Sequence, residues 1–145
     1  MSHEVKRAFI FCSDPRVKLW KNVKQKLVLP EERVITLSWF GGPIALANPK
    51  TLPEDFYFAM NQIAFCIRKF PSVETFVPIG HMCGYYENIS PEPMDAESIR
   101  EDLMIAAVCI MQKFSGKKAI SYYARDMGEH GREFDFEMMG EPATV

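Results

Sequence analysis

Two short segments carry the residue types that bind a transition metal. Cys12 opens the run Cys-Ser-Asp-Pro-Arg at 12–16, and His81 and Cys83 stand two positions apart in Gly-His-Met-Cys-Gly at 80–84. Two thiols and an imidazole are three of the four ligands of a tetrahedral zinc shell, and a catalytic zinc site leaves the fourth place to water or substrate. Two thiolates balance the doubly charged ion, and zinc-bound water becomes a hydroxide nucleophile near neutral pH. Thiolate donation makes that water less acidic than in a three-histidine site. Asp14 and Arg16 follow Cys12 on the same turn. Asp14 can reach the open position of the metal or accept a hydrogen bond from its water. Arg16 can hold that carboxylate bidentately, keep it ionised and favour an anionic substrate or product.

Other residues have plainer readings. Cys66 and Cys109 fall inside apolar helical segments, where packing explains a thiol. His3 is in the N-terminal tail and His130 in a turn, both read as solvated surface. Gly41-Gly42 could cradle an anion, and Trp39 and Phe40 could wall a site for a small neutral molecule. The Cys12-to-Arg16 step is too short for a phosphatase-type loop, which needs more amides between nucleophile and arginine. A buried core thiol at Cys12, or a redox pair formed by Cys12 and Cys83, remain alternatives to the zinc reading.

The elements that must position these groups alternate. The apolar run at 7–12 reads as a strand, and Val17, Trp20, Val23 and Leu27 mark a helix over 16–29 with lysines on its other face. A strand at 33–38 leads to the glycine loop, and residues 44–53, with two prolines, read as irregular. Phe56, Met60, Ile63, Ile67 and Phe70 give a helix over 54–70 its buried stripe. That helix is apolar on more than one face, which predicts burial between the sheet and a second layer. A strand at 74–79 runs into His81. A helix over 95–114 follows, with Asp95 as N-cap and Gly116 as its stop. A fourth strand at 118–124 and an antiparallel return at 132–138 complete the chain.

Strands alternating with long helices predict an α/β fold. It is a single domain over 1–145, with four mostly parallel strands, an antiparallel edge strand and helices on both faces. Sites in such sheets form at the carboxyl ends of strands where strand order reverses. If the first and third strands are neighbours, Cys12 and His81 meet there.

Composition narrows the classes of function. A length of 145 residues with 48% hydrophobic content suffices for a core without disulfide staples. A net charge of -2 lacks the basic footprint of a nucleic-acid binder. Lys18, Lys21, Lys24 and Lys26 recur at helical spacing, as on a solvated face. No apolar run reaches the roughly eighteen residues that span a bilayer, and no signal-peptide pattern is present, so the cytoplasm is the expected location. There the four cysteines are expected as ligands or buried thiols.

At these same residues the chain resembles the β-class carbonic anhydrases. The Cys12-to-Val17 segment is similar to that family's Cys-x-Asp-x-Arg signature. Gly80 to Gly84 is similar to its Gly-His-x-x-Cys-Gly segment with the step from histidine to cysteine shortened by one residue. The order of elements matches across most of the chain. The resemblance implies zinc held by Cys12, His81 and Cys83, with Asp14 and Arg16 as the catalytic pair. In the family's closed state Asp14 would itself take the fourth place. It implies reversible hydration of carbon dioxide to bicarbonate, and a homodimer or larger homo-oligomer. A non-catalytic zinc-binding relative, or a hydrolase of carbonyl sulfide or carbon disulfide, are the alternatives.

Overall fold

The computed structural model describes residues 4–14, 18–82, 95–128 and 131–140. In chain order the elements are β1 (Arg7–Cys12), α1 (Leu19–Lys26), β2 (Val34–Trp39), a 3-10 segment (Gly42–Ala47), α2 (Pro53–Lys69), β3 (Thr75–Gly80), α3 (Ala96–Lys113), β4 (Lys118–Ala119), β5 (Tyr122–Asp126) and β6 (Phe134–Met138). The strands form one sheet in the order β2-β1-β3-β5-β6, with β4 also beside β3. Only the β5–β6 pair is antiparallel. The chain is therefore a small α/β domain with a mostly parallel sheet and an antiparallel edge, as the alternation of periods predicts.

Each helix forms where its apolar spacing requires. In α3 the buried residues Ile99, Leu103, Ala106, Ala107 and Ile110 keep to one stripe. Its N-cap is Asp95, whose Oδ1 accepts the Ser98 N–H at 2.8 Å, satisfying one of the helix's orphan donors. Gly116 takes φ 82° just beyond the helix, a conformation that favours glycine. Helix α1 is shorter than the predicted 16–29. Its buried face centres on Leu19, Asn22 and Val23, and Trp20 stacks on Phe11 with ring centroids 5.5 Å apart. Residues 44–53, predicted irregular, begin with an ordered 3-10 segment whose Ile44, Ala45 and Leu46 are buried.

Two faces of the sheet carry two cores. Phe9, Phe11, Val77 and Ile79 pack with Leu19 and Val23 of α1 and with Phe134 of β6. Ala8, Ile10 and Phe76 pack with Ala59, Ile63 and Cys66 of α2 and Ala106, Ala107 and Ile110 of α3. Helices thus cover both faces. The second apolar face of α2 differs from expectation, because Tyr57, Phe58 and Phe65 remain exposed, although the Trp39 ring meets Phe58 edge-on.

The predicted fourth strand, 118–124, is divided into β4 and β5. Residues Lys118 and Ala119 pair with Thr75 and Phe76, whereas Tyr122 and Tyr123 pair with Ile79 and Gly80. The gap falls opposite Val77 and Pro78, and a proline has no N–H to give to a ladder. At the gap the Ser121 hydroxyl donates instead to the Leu103 carbonyl at 2.8 Å. The Ser121 carbonyl accepts the Met139 N–H at 2.8 Å. No helix among the described residues is long and apolar enough to cross a membrane.

Candidate functional site

Strand β1 lies between β2 and β3, so chain order reverses around it, and in open α/β sheets ligands bind at the carboxyl ends of strands at such a point. Ile10 pairs with Pro78. Two residues further on, Cys12 reaches the level of Gly80, and His81 stands one step beyond. The condition that the first and third strands are neighbours holds. Cys83 and Arg16 lie outside the described residues, as do His3 and His130.

The two side chains pack to opposite faces. Cys12, 4% exposed, clusters with Ile44, Ile99, Leu103 and Tyr123, beside the 3-10 segment and α3. His81, also 4% exposed, sets its ring edge-on to Phe134, 6.0 Å between centroids, on the α1 face. Among the described residues, no three of the His, Cys, Asp and Glu side chains form a group that could hold a metal ion.

His81 has the hydrogen bonding of an imidazole prepared for a ligand. Its Nδ1 lies 3.2 Å from the Met82 carbonyl oxygen. A carbonyl can only accept, so the bond requires the proton on Nδ1, and in the neutral ring the lone pair is then on Nε2. Nε2 is buried and has no hydrogen-bond partner among the described residues. Metal-ligating histidines fix their tautomer by this kind of bond from the other ring nitrogen. Beside His81 opens a cavity of about 150 Å³, lined also by Met82, Tyr123, Asp126, Gly131 and Phe134.

The surroundings of Cys12 are built by the glycine loop. The Gly41 N–H donates to Cys12 Sγ at 3.4 Å. Gly41 and Gly42 have φ of 84° and 57°, so both need the freedom of glycine. A Cβ on Gly42 would stand 2.7 Å from the Cys12 nitrogen, which shows how closely this loop crosses the end of β1. The Trp39 indole N–H donates to the Gly42 carbonyl at 2.6 Å. The Trp39 carbonyl accepts the Ser13 N–H at 3.1 Å. The sequence pattern marks Gly41-Gly42 as a weak anion cradle, and in the fold the group under its amide is the Cys12 sulfur. Trp39 packs edge-on to Phe58 rather than walling an open site, and Phe40 is 65% exposed.

Cys66 and Cys109 are free thiols within α2 and α3, and burial pushes both up from the ordinary cysteine value. They are packing residues, as their helical positions suggest. The Tyr123 phenol is likewise pushed up by burial, and the Arg100 guanidinium lies 4.5 Å over its ring. Asp126 accepts the N–H groups of Gly128 at 3.0 Å and Gly131 at 2.7 Å, which shapes the wall of the His81 cavity. Comparison with protein-family models, curated proteins and solved structures finds no match.

Proposed function

We propose that the chain binds one zinc ion through Cys12, His81 and Cys83 and hydrates carbon dioxide reversibly to bicarbonate. The observation that carries this reading is the buried Nε2 of His81, without a partner among the described residues, beside the strand end that bears Cys12. Leaving such an atom unpaired costs about 1–3 kcal/mol, and a cation bound there would remove that cost. When bound, zinc supplies an acidified water at neutral pH. The protein's own groups do the rest. Asp14 accepts a hydrogen bond from the reacting water and orients it. Arg16 holds that carboxylate ionised and draws the anionic product. A reducing, cytoplasmic setting suits thiolate ligands, and a homo-oligomer accords with the resemblance to the β-class carbonic anhydrases.

A second reading is a non-catalytic zinc centre. It is favoured by the cavity at His81, whose described lining includes neither Cys12 nor Asp14. Metal analysis joined to stopped-flow carbon dioxide hydration separates the two. Catalysis predicts stoichiometric zinc and turnover that rises between about pH 7 and 9 as the bound water ionises. Cys12→Ser should lose the metal. Asp14→Asn should keep it and lower turnover by roughly a hundredfold. Zinc at one equivalent with no hydration at any of these pH values refutes the enzyme and leaves the second reading.

A further inference from the structure

Helix α2 buries one face against the sheet through Ala59, Ile63 and Cys66. Its opposite face keeps three large rings in solvent: Tyr57 is 68% exposed, Phe58 49% and Phe65 58%. Glu54 before them, Asn61 between them, and Arg68 and Lys69 after them are exposed as well. At three- and four-residue steps these side chains make one continuous stripe. A single exposed ring needs no explanation, whereas a row of rings on one helix face marks an interaction site. A fully buried aromatic side chain covers about 150–250 Å², so the three rings leave roughly 350 Å² of apolar surface uncovered on each copy.

The order of residues along the stripe selects what covers it. The acid stands at the amino-terminal end of α2, the two bases at the carboxyl-terminal end, and the rings between. Those charges complement the helix dipole, but the dipole gives no reason for rings in water. Turned end for end, the stripe matches itself. In an antiparallel pair of α2 helices centred between Asn61 and Gln62, Phe58 of each copy meets Phe65 of the other. Glu54 of each copy meets Lys69 of the other. The amides of Asn61 and Gln62, which both donate and accept, meet at the centre. A twofold axis makes every one of these contacts twice, as an isologous dimer requires. A helix lying on a membrane would keep its charged groups on the face opposite its rings, whereas here Glu54, Asn61 and Lys69 share the face of the rings.

We propose that the exposed face of α2 binds a second copy of this chain, as an antiparallel helix pair about a twofold axis. The partner helix then supplies the second layer that the apolar spacing of α2 predicts. The inference assigns a face and a symmetry to the homo-oligomer proposed above, and it needs neither zinc nor catalysis. The rings of both copies together bury roughly 700 Å². The flanking polar side chains bring the pair toward the low end of specific interfaces, about 1,200 Å², so the dimer should be of micromolar affinity.

Sedimentation velocity on the full chain, from about 1 to 200 µM, reads the dissociation constant directly. Phe65→Glu places a charge at the contact and should leave the protein monomeric throughout. Glu54→Lys and Lys69→Glu should each weaken the dimer by about tenfold, because each sets like charges face to face twice. The two changes combined in one chain restore opposite charges across the axis, and affinity should return to near wild type. Residues 54 and 69 lie at opposite ends of the helix, so only a second, antiparallel copy can produce that rescue. Circular dichroism confirms the fold of each variant, and the charge variants decide the matter if Phe65→Glu does not fold. A wild type that is monomeric at the highest concentration overturns the proposal. A dimer indifferent to all four variants overturns this face and leaves the homo-oligomer standing on another. Single losses without rescue in the combined variant overturn the antiparallel pair. Monomeric wild type that floats with phosphatidylcholine–phosphatidylserine vesicles, and fails to do so as Phe65→Glu, overturns the second copy in favour of a membrane surface.

Discussion

Asn22 is the polar residue whose loss should be felt most widely. It is 3% exposed on α1 and makes three side-chain hydrogen bonds. Its Nδ2 donates to the carbonyls of Lys18 at 2.7 Å and Arg132 at 3.0 Å, and its Oδ1 accepts the Phe134 N–H at 3.1 Å. These bonds tie α1 to the β5–β6 hairpin, which carries Phe134 against His81. In Asn22→Ala the Phe134 N–H is left buried without its acceptor, a cost of about 1–3 kcal/mol. The Lys18 carbonyl is not orphaned, because the Asn22 backbone N–H still reaches it at 3.2 Å. The Arg132 carbonyl loses a bond worth about 1 kcal/mol. The total is about 2–4 kcal/mol. With a urea slope of about 2 kcal/mol/M, the unfolding midpoint should fall by roughly 1–2 M. Asn22→Asp sharpens the test. It keeps the acceptor for Phe134 but turns a carboxyl toward two carbonyl oxygens, which raises its folded pKa above the unfolded value of about 3.9. The unfolded state then releases its proton first. The variant's deficit should be smallest in acid, grow as pH rises through that window and level off above the folded pKa. A deficit below about 0.5 kcal/mol in Asn22→Ala, or one in Asn22→Asp that is the same at pH 4 and 7, would refute the reasoning.

Two further outcomes follow from the same kind of accounting. Glu32 is held below the ordinary carboxylate range by the side-chain hydrogen bonds of Arg7, at 2.5 and 2.7 Å. That stability is present above the unfolded pKa and lost as pH falls through the folded one. Glu32→Gln should therefore cost about 1–2 kcal/mol near neutrality and flatten the acid limb of stability, measured by urea unfolding at several pH values. Gly42→Ala combines a left-handed φ of 57° with a Cβ placed 2.7 Å from the Cys12 nitrogen, an atom that cannot rotate away. It should cost about 2–5 kcal/mol, or roughly 5–15 °C in Tm. Gly116→Ala shares only the backbone term, since at φ 82° nothing stands within 4 Å of its Cβ. Calorimetry should show a much smaller drop there, and equal drops would remove the close crossing at Cys12 as the cause.

Much of the fold is legible in the sequence because its periods are clean. Alternating strands and helices dictate a parallel sheet, Asp95 three residues before Ser98 marks the start of α3, and the 132–138 run returns as β6. What the pattern missed depends on contacts distant in sequence. The break between β4 and β5 is set by Pro78 on another strand. The role of the glycine pair is set by Trp39 and by the approach of the loop to β1. A polar residue on an apolar stripe, Asn22, reads as an interruption until the hairpin that it binds is in place.

The site shows the same boundary. The sequence shows that Cys12 and His81 follow strands and leaves as a condition that those strands are neighbours, which the strand order meets. The direction of each side chain follows from register, which the sequence does not show. Strands β1 and β3 pair with an offset of 68 residues, an even number, so even-numbered residues of both strands share a face. Cys12 therefore shares a face with Ile10 and Phe76, and His81 continues the opposite row of Val77 and Ile79. A zinc ion held by both cannot lie against either face of the sheet. It must lie beyond the strand ends, where the Gly41-Gly42 loop folds over Cys12 and Gly80 precedes His81. On the proposed zinc reading, the segments after β1 and β3, more than the sheet, would decide whether Cys12, His81 and Cys83 converge. Beyond the last ladder pair, the hydrogen bonds of the turns are what fix the direction of the Cys12 sulfur.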